Sequence, residues 1–131
     1  MFKNSLPSSV TYIDKEAFKG CSSLKELNLS DKLTAIGAYA FEGCTSLSKI
    51  YLGRGMERIS KDAFNGCKDG LKVSISAYSL LYKKLRDLIE NKQISSIQDY
   101  FSNKNIQIIL VDKNDRKRLD RHIQRLTKSK K

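Results

Sequence analysis

AFKGC at residues 17–21, AFEGC at residues 40–44 and AFNGC at residues 63–67 are three copies of one phrase with a single changed position. Each copy begins 23 residues after the previous one. The same interval aligns three further sets of apolar residues. The first set is Leu6, Leu29, Leu52 and Ile75; the second is Ile13, Ile36 and Ile59; the third is Leu27, Ile50 and Val73. A period of this length predicts a solenoid, in which each coil buries its apolar rows against the next coil.

One segment of each coil has the pattern of a strand. In LKELNL at residues 24–29, Leu27 and Leu29 alternate with polar residues, and alternation of period two is typical of a strand with one buried face. Neighbouring coils would place these strands side by side in a parallel sheet, at about 4.8 Å. The positions predicted to face solvent are Glu26, Asn28 and Ser30 in the first coil, Lys49, Tyr51 and Gly53 in the second, and Lys72, Ser74 and Ser76 in the third.

Residues 6–76 resemble the bacterial surface-antigen leucine-rich repeat family, the Treponema-type or BspA-like class, through the LxxLxL strand and the AFxGC phrase in three registered copies. The resemblance implies an α/β solenoid that binds other macromolecules without catalysis, often on bacterial or protist surfaces. Gly20, Gly43 and Gly66 occupy one turn position of the coil, where a positive φ is expected.

The ends of a solenoid need covering, because an open end exposes apolar rows and a strand edge. Residues 76–92 predict an amphipathic helix with Ser76 as N-cap and with apolar positions at Tyr78, Leu81, Tyr82, Leu85, Leu88 and Ile89. A short helix and turn over residues 96–105 and a strand over 106–111 follow.

We therefore predict a solenoid over 1–75, an α/β cap over 76–111 and a basic helical tail over 112–131. No cap is visible before residue 6, so either the chain is part of a longer array or another chain covers that end.

The formal charge of +11 is concentrated in the tail, where residues 112–131 contain nine Lys or Arg and three Asp. Leu119, Ile123 and Leu126 form one thin apolar stripe there. Three interpretations stay open: the stripe packs on the cap, it pairs with a second copy, or the tail binds an anionic partner, namely nucleic acid, acidic glycan, acidic lipid or an acidic protein. The last interpretation rests on Arg116, Lys117, Arg118, Arg121 and Arg125.

No catalytic, cofactor-binding or metal-binding constellation is predicted. Cys21, Cys44 and Cys67 are one coil apart, with no CxxC pair, so we expect core packing. His122 stands alone among charges in the tail, and Gly53-Arg54-Gly55 lacks the third glycine of a dinucleotide-binding loop. An enzyme is therefore the least favoured class.

The sequence thus favours a non-catalytic module for protein–protein or adhesion-type recognition. The predicted binding residues are those on the exposed strand positions, Glu26, Asn28, Lys49, Tyr51, Lys72 and Ser74. Tyr51 is singled out because tyrosine is enriched in interface hot spots.

No apolar run reaches the ~18 residues that cross a bilayer. A cell-surface or secreted location follows if the chain is a fragment, and a cytoplasmic one if Met1 is the natural start. An oligomer formed through the N-terminal end or the tail is one of the alternatives that the sequence leaves open.

Overall fold

Within residues 6–111 the strands are short and the helices few. A computed structural model describes residues 6–111. Its elements in chain order are β1 (Tyr12–Ile13), β2 (Glu26–Asn28), β3 (Ala35–Ile36), β4 (Lys49–Leu52), β5 (Arg58–Ile59), β6 (Lys72–Ser76), α1 (Leu80–Glu90), α2 (Ile97–Tyr100) and β7 (Gln107–Val111). The first five residues of the predicted solenoid and the whole predicted tail helix lie outside the described residues.

Two parallel sheets form the two sides of a solenoid. One sheet has the order β2-β4-β6-β7 and the other has the order β1-β3-β5. The pairs Leu27–Ile50 and Ile50–Val73 each join residues 23 positions apart, as do Tyr12 and Ala35 in the second sheet. The strand register therefore follows the interval that separates the AFxGC phrases.

The core lies between the two sheets and consists of the repeated apolar positions. Leu27, Ile50 and Val73 are buried in one row, because alternate side chains of a strand point to the same face. A second row is a stack of phenylalanine rings, with centroids 5.3 Å apart from Phe18 to Phe41 and 5.9 Å apart from Phe41 to Phe64. Phe41 and Phe64 are fully buried, whereas Phe18 is only partly buried.

The turns between the sheets depend on glycine at two kinds of position. Gly20, Gly43 and Gly66 have φ of 75°, 73° and 72°, the left-handed region that a Cβ makes unfavourable, as predicted. Gly55 serves close packing instead, because a Cβ on it would lie 1.9 Å from the carbonyl oxygen of Asp31. Each coil can therefore sit directly on the turn of the coil before it.

The first helix of the cap begins later than predicted. Its N-cap is Ser79, whose Oγ accepts a hydrogen bond from the Tyr82 N–H at 3.1 Å. The prediction of Ser76 as N-cap is wrong, because Ser76 is the last residue of β6 and pairs with Val111. Tyr78 consequently precedes the helix and is 58% exposed, so it does not belong to the apolar stripe. Leu81 and Leu85 of that stripe are buried.

The rest of the cap takes the place of a further coil. The Phe101 ring lies 5.7 Å from that of Phe64 and continues the stack. The Tyr100 hydroxyl donates to the Ile59 carbonyl oxygen. β7 then adds a fourth parallel strand next to β6, so the predicted strand over 106–111 is present and begins at Gln107. The cap therefore covers the apolar rows of the last coil.

Candidate functional site

The exposed side of the β2-β4-β6-β7 sheet carries two rows of side chains in register. One row runs Glu26, Lys49, Lys72, Gln107, and the other runs Asn28, Tyr51, Ser74, Ile109. We call these eight residues the strand face. None of them is buried, and alternate positions of a strand share a face. The structure thus brings all six residues predicted from the sequence onto one surface.

Charge on the strand face is uneven. The Lys49 ammonium lies 3.8 Å from a Glu26 carboxylate oxygen, and both side chains are about half exposed. Such exposed pairs contribute little to stability, with a median near 0–1 kcal/mol. Lys72 makes no ion pair or side-chain hydrogen bond with any other residue in the 6–111 range. Lys72 is exposed on the strand face.

Tyr51 lies at the centre of the second row, between Asn28 and Ser74. It is half-buried, so part of the residue stays open to solvent. A tyrosine in this setting offers a large contact area at low cost in side-chain entropy. This geometry suits an anchor residue in an interface.

Two members of the strand face were missed by the sequence analysis. Gln107 and Ile109 come from β7, and the alternation in IQIILV at residues 106–111 was the signal that could have placed them there. Two positions predicted to face solvent are instead buried. Ser76 is 2% exposed next to Val111, and Gly53 packs on the carbonyl oxygen of Ser30.

Two of the three cysteines, Cys44 and Cys67, pack in the core as predicted, whereas Cys21 is only partly buried. The Cys44 thiol donates to the Phe18 carbonyl oxygen at 3.2 Å, and the Cys67 thiol donates to the Phe41 carbonyl oxygen at 3.1 Å. Burial raises the pKa of Cys44 to about 11 and that of Cys67 to about 12. Within the described part of the chain, no three His, Cys, Asp or Glu side chains come together as a potential metal site.

A groove of about 380 Å³ lies on the other side of the molecule, between β5 and α1. Its lining includes Arg58, Ile59, Leu85 and Tyr100. The Tyr100 hydroxyl already donates a hydrogen bond to the Ile59 carbonyl oxygen, and burial raises the pKa of Tyr100.

The predicted anion-binding residues of the tail lie outside the described residues, as does His122. They are Arg116, Lys117, Arg118, Arg121 and Arg125.

The sequence family follows from the same repeat that builds these rows. A family model described as BspA type leucine rich repeat region matches residues 2–117 in six copies. This chain belongs to the BspA-type leucine-rich repeat family. The BspA-type match runs through the cap, in agreement with the way Phe101 and β7 continue the ring stack and the sheet. No curated protein and no solved structure matched the chain.

Membership of the BspA-type family confirms the predicted resemblance and supports a repeat solenoid. Leucine-rich repeats of this kind suggest a protein-interaction module. Among the helices in residues 6–111, none is long and apolar enough to cross a bilayer.

Proposed function

We propose that this solenoid of 23-residue coils is a non-catalytic protein-interaction module that binds its partner through the strand face. The observation that carries the proposal is the register of four strands, which aligns Lys49 with Lys72 in one row and Tyr51 with Ile109 in the next. The inward side chains of these strands stabilise the core, whereas the strand face makes no contribution to the stacked rows. Its side chains can therefore vary with the partner while the scaffold stays the same.

The composition of the strand face indicates the chemistry of the partner. Tyr51 and Ile109 supply apolar contact area, and Lys72 supplies a cation without an ion-pair partner among the described residues. Four parallel strands span about 15 Å at their usual spacing. A protein loop or extended segment that combines an apolar side chain with a carboxylate fits a surface of this width.

Site-specific photo-crosslinking tests this proposal. A benzophenone amino acid at position 51 is expected to give covalent adducts with one or a few proteins from an extract of the source organism. Position 12 is the matched control, because Tyr12 is an exposed tyrosine on β1, in the other sheet. Lys72→Glu in the position-51 protein should reduce those adducts by about tenfold, which corresponds to 1.4 kcal/mol. Equal adducts from positions 51 and 12 would contradict binding at the strand face.

A second candidate function rests on the charge of the tail. Nine Lys or Arg against three Asp in residues 112–131 favour electrostatic binding of an anionic polymer, with Arg116, Lys117, Arg118, Arg121 and Arg125 as contacts. Fluorescence anisotropy with duplex DNA, single-stranded RNA and heparin tests it. Binding should fall steeply with salt and disappear in a chain that ends at Val111. Equal binding by both chains would exclude the tail as the site.

A further inference from the structure

The outer edge of β7 has backbone groups that no other residue between 6 and 111 pairs with. The Gln107 N–H donates to the Leu71 carbonyl oxygen at 2.7 Å, and the Val111 carbonyl oxygen accepts from the Ala77 N–H at 2.8 Å. Gln107, Ile109 and Val111 therefore direct their backbone groups towards β6. In a parallel ladder the intervening residues point the opposite way. The N–H and C=O groups of Ile108 and Leu110 face away from the sheet, and within residues 6–111 nothing pairs with them.

This edge also lacks the features that usually prevent strand pairing. Soluble proteins protect edge strands with charged residues, proline or bulges. Gln107–Val111 contains neither charge nor proline, whereas β2, β4 and β6 contain Glu26, Lys49 and Lys72. Ile109 and Leu110 are 39% and 41% exposed. The two side chains point to opposite faces of the sheet, so both faces of the edge are apolar.

We propose that two copies of this chain associate through antiparallel pairing of β7 with β7, about a two-fold axis at Ile109. Ile108 of each copy then lies opposite Leu110 of the other, in a hydrogen-bonded pair. Each edge contributes two N–H and two C=O groups, and the two residue pairs join these groups in four hydrogen bonds. Ile109 faces its own counterpart in a non-hydrogen-bonded pair, where Cα atoms approach to about 4.5 Å.

The strand itself indicates a second copy as the occupant, because its pattern is self-complementary about Ile109. The two-fold pairing places Ile109 on Ile109 at one face, and Leu110 beside Ile108 at the other. The charge of +11 opposes association, but the nearest cation of the strand face, Lys72, lies one strand in from the edge. Two Lys72 rows would be about 14 Å apart in the dimer, beyond the ~8 Å screening length at physiological salt. Lowering the salt to about 0.01 M, where the screening length grows to about 30 Å, should therefore weaken the dimer.

Analytical ultracentrifugation of the full chain over a range of concentrations tests the proposal. The chain should show a monomer–dimer equilibrium. Ile109→Lys places two like charges opposite each other and should weaken the dimer by at least about tenfold. Leu110→Pro removes only an outward N–H, which an edge strand tolerates, and should have a similar effect. Leu80→Lys is the matched control, since Leu80 is equally apolar and 46% exposed on α1; it should dimerise like the unmodified chain.

Amide hydrogen exchange at low and high protein concentration locates the interface independently. The Ile108 and Leu110 amides should exchange more slowly at high concentration, and circular dichroism should show that both edge variants are folded. A chain that stays monomeric at every concentration would overturn the proposal. Dimers that persist in both folded variants, or open-ended oligomers instead of dimers, would overturn it too, because two-fold pairing closes after two copies.

Discussion

Cys44 and Cys67 do more than fill space in the core. Each thiol donates to the carbonyl oxygen of the phenylalanine one coil earlier, and the Asn103 amide donates to the Phe64 carbonyl oxygen in the cap. One side-chain donor per layer thus satisfies a carbonyl group at the ring stack. The sequence predicted burial of the cysteines from their spacing, but the carbonyl acceptors depend on how one coil sits on the next, which the spacing alone does not contain.

Thiol labelling at pH 8 should distinguish the three cysteines. Cys44 and Cys67 are buried with raised pKa values, whereas Cys21 is partly exposed. Because the thiolate is the reactive form, we expect Cys21 to react with Ellman's reagent at least about tenfold faster than the other two. In urea all three should react at similar rates. Fast reaction of Cys67 in the native chain would contradict the observed packing.

The same thiols should make stability depend on alkaline pH. Their pKa values are raised from 9.0 to about 11 and about 12, so between pH 9 and these values the unfolded chain loses protons that the folded chain keeps. The free energy of unfolding should therefore be unaffected by these groups below pH 9 and fall above it. Urea denaturation from pH 8 to 10.5 measures this. Cys67→Ser retains a hydroxyl donor without the titration and should show a shallower decline; an equal decline would exclude Cys67 as a contributor.

The start of α1 shows where pattern and packing disagree. Spacing of apolar residues predicted the helix and its buried positions Leu81 and Leu85. It did not distinguish Ser76 from Ser79, because both are good N-cap residues. Pairing of β6 with β7 extends the strand through Ser76, and this long-range contact moves the helix start to Ser79. Contacts of that kind cannot be derived from a local window of sequence.

Ser79→Ala should lower the free energy of unfolding by about 1–2 kcal/mol. The change removes the bond from the Tyr82 N–H and the bond to the Ser76 carbonyl oxygen, and the Ser79 side chain itself is buried. Ser96→Ala, at the exposed N-cap of the four-residue α2, is the control and should cost less. Urea denaturation compares the two variants. A larger effect of Ser96→Ala would contradict the assigned cap.

Gly55→Ala should destabilise the chain by about 1–3 kcal/mol through a steric clash. The new Cβ would meet the Asp31 carbonyl oxygen at 1.9 Å, so the backbone of two coils would have to separate. Gly20→Ala introduces backbone strain at φ 75° but meets nothing within 4 Å, and should cost about 1 kcal/mol. Thermal unfolding of both variants compares their losses of stability. The reverse order would show that the coils can yield at this turn.

The phenylalanine stack links the solenoid to its cap. Phe41, Phe64 and Phe101 are fully buried, with Phe101 at the cap end and the partly buried Phe18 at the other. The spacing of the AFxGC phrase predicted that Phe18, Phe41 and Phe64 occupy equivalent places in successive coils. It did not predict Phe101, because the cap lies off the 23-residue interval. The extent of the strand face was underestimated for the same reason, since β7 comes from the cap.

Phe101→Ala should therefore cost more than Phe18→Ala. Removal of a fully buried phenylalanine typically costs about 3–5 kcal/mol, and Phe101 also packs edge-on against Tyr100 at 5.1 Å between ring centroids. Phe18 is already partly open to solvent. Equilibrium denaturation of both variants checks this ranking. Equal losses would indicate that the cap contributes no more to the stack than the first coil does.

The in-register contact between successive coils makes the length of the solenoid adjustable. Leu27, Ile50 and Val73 occupy equivalent places, and among residues 6–111 each pairs with the adjacent strand or strands of one sheet. Duplication of one 23-residue unit between β4 and β6 would leave both neighbours with surfaces they already fit. The insertion would move the cap outward by about 4.8 Å and add one pair of side chains to the exposed rows. Gene duplication could thus lengthen the recognition surface in equal steps, without redesign of the interior.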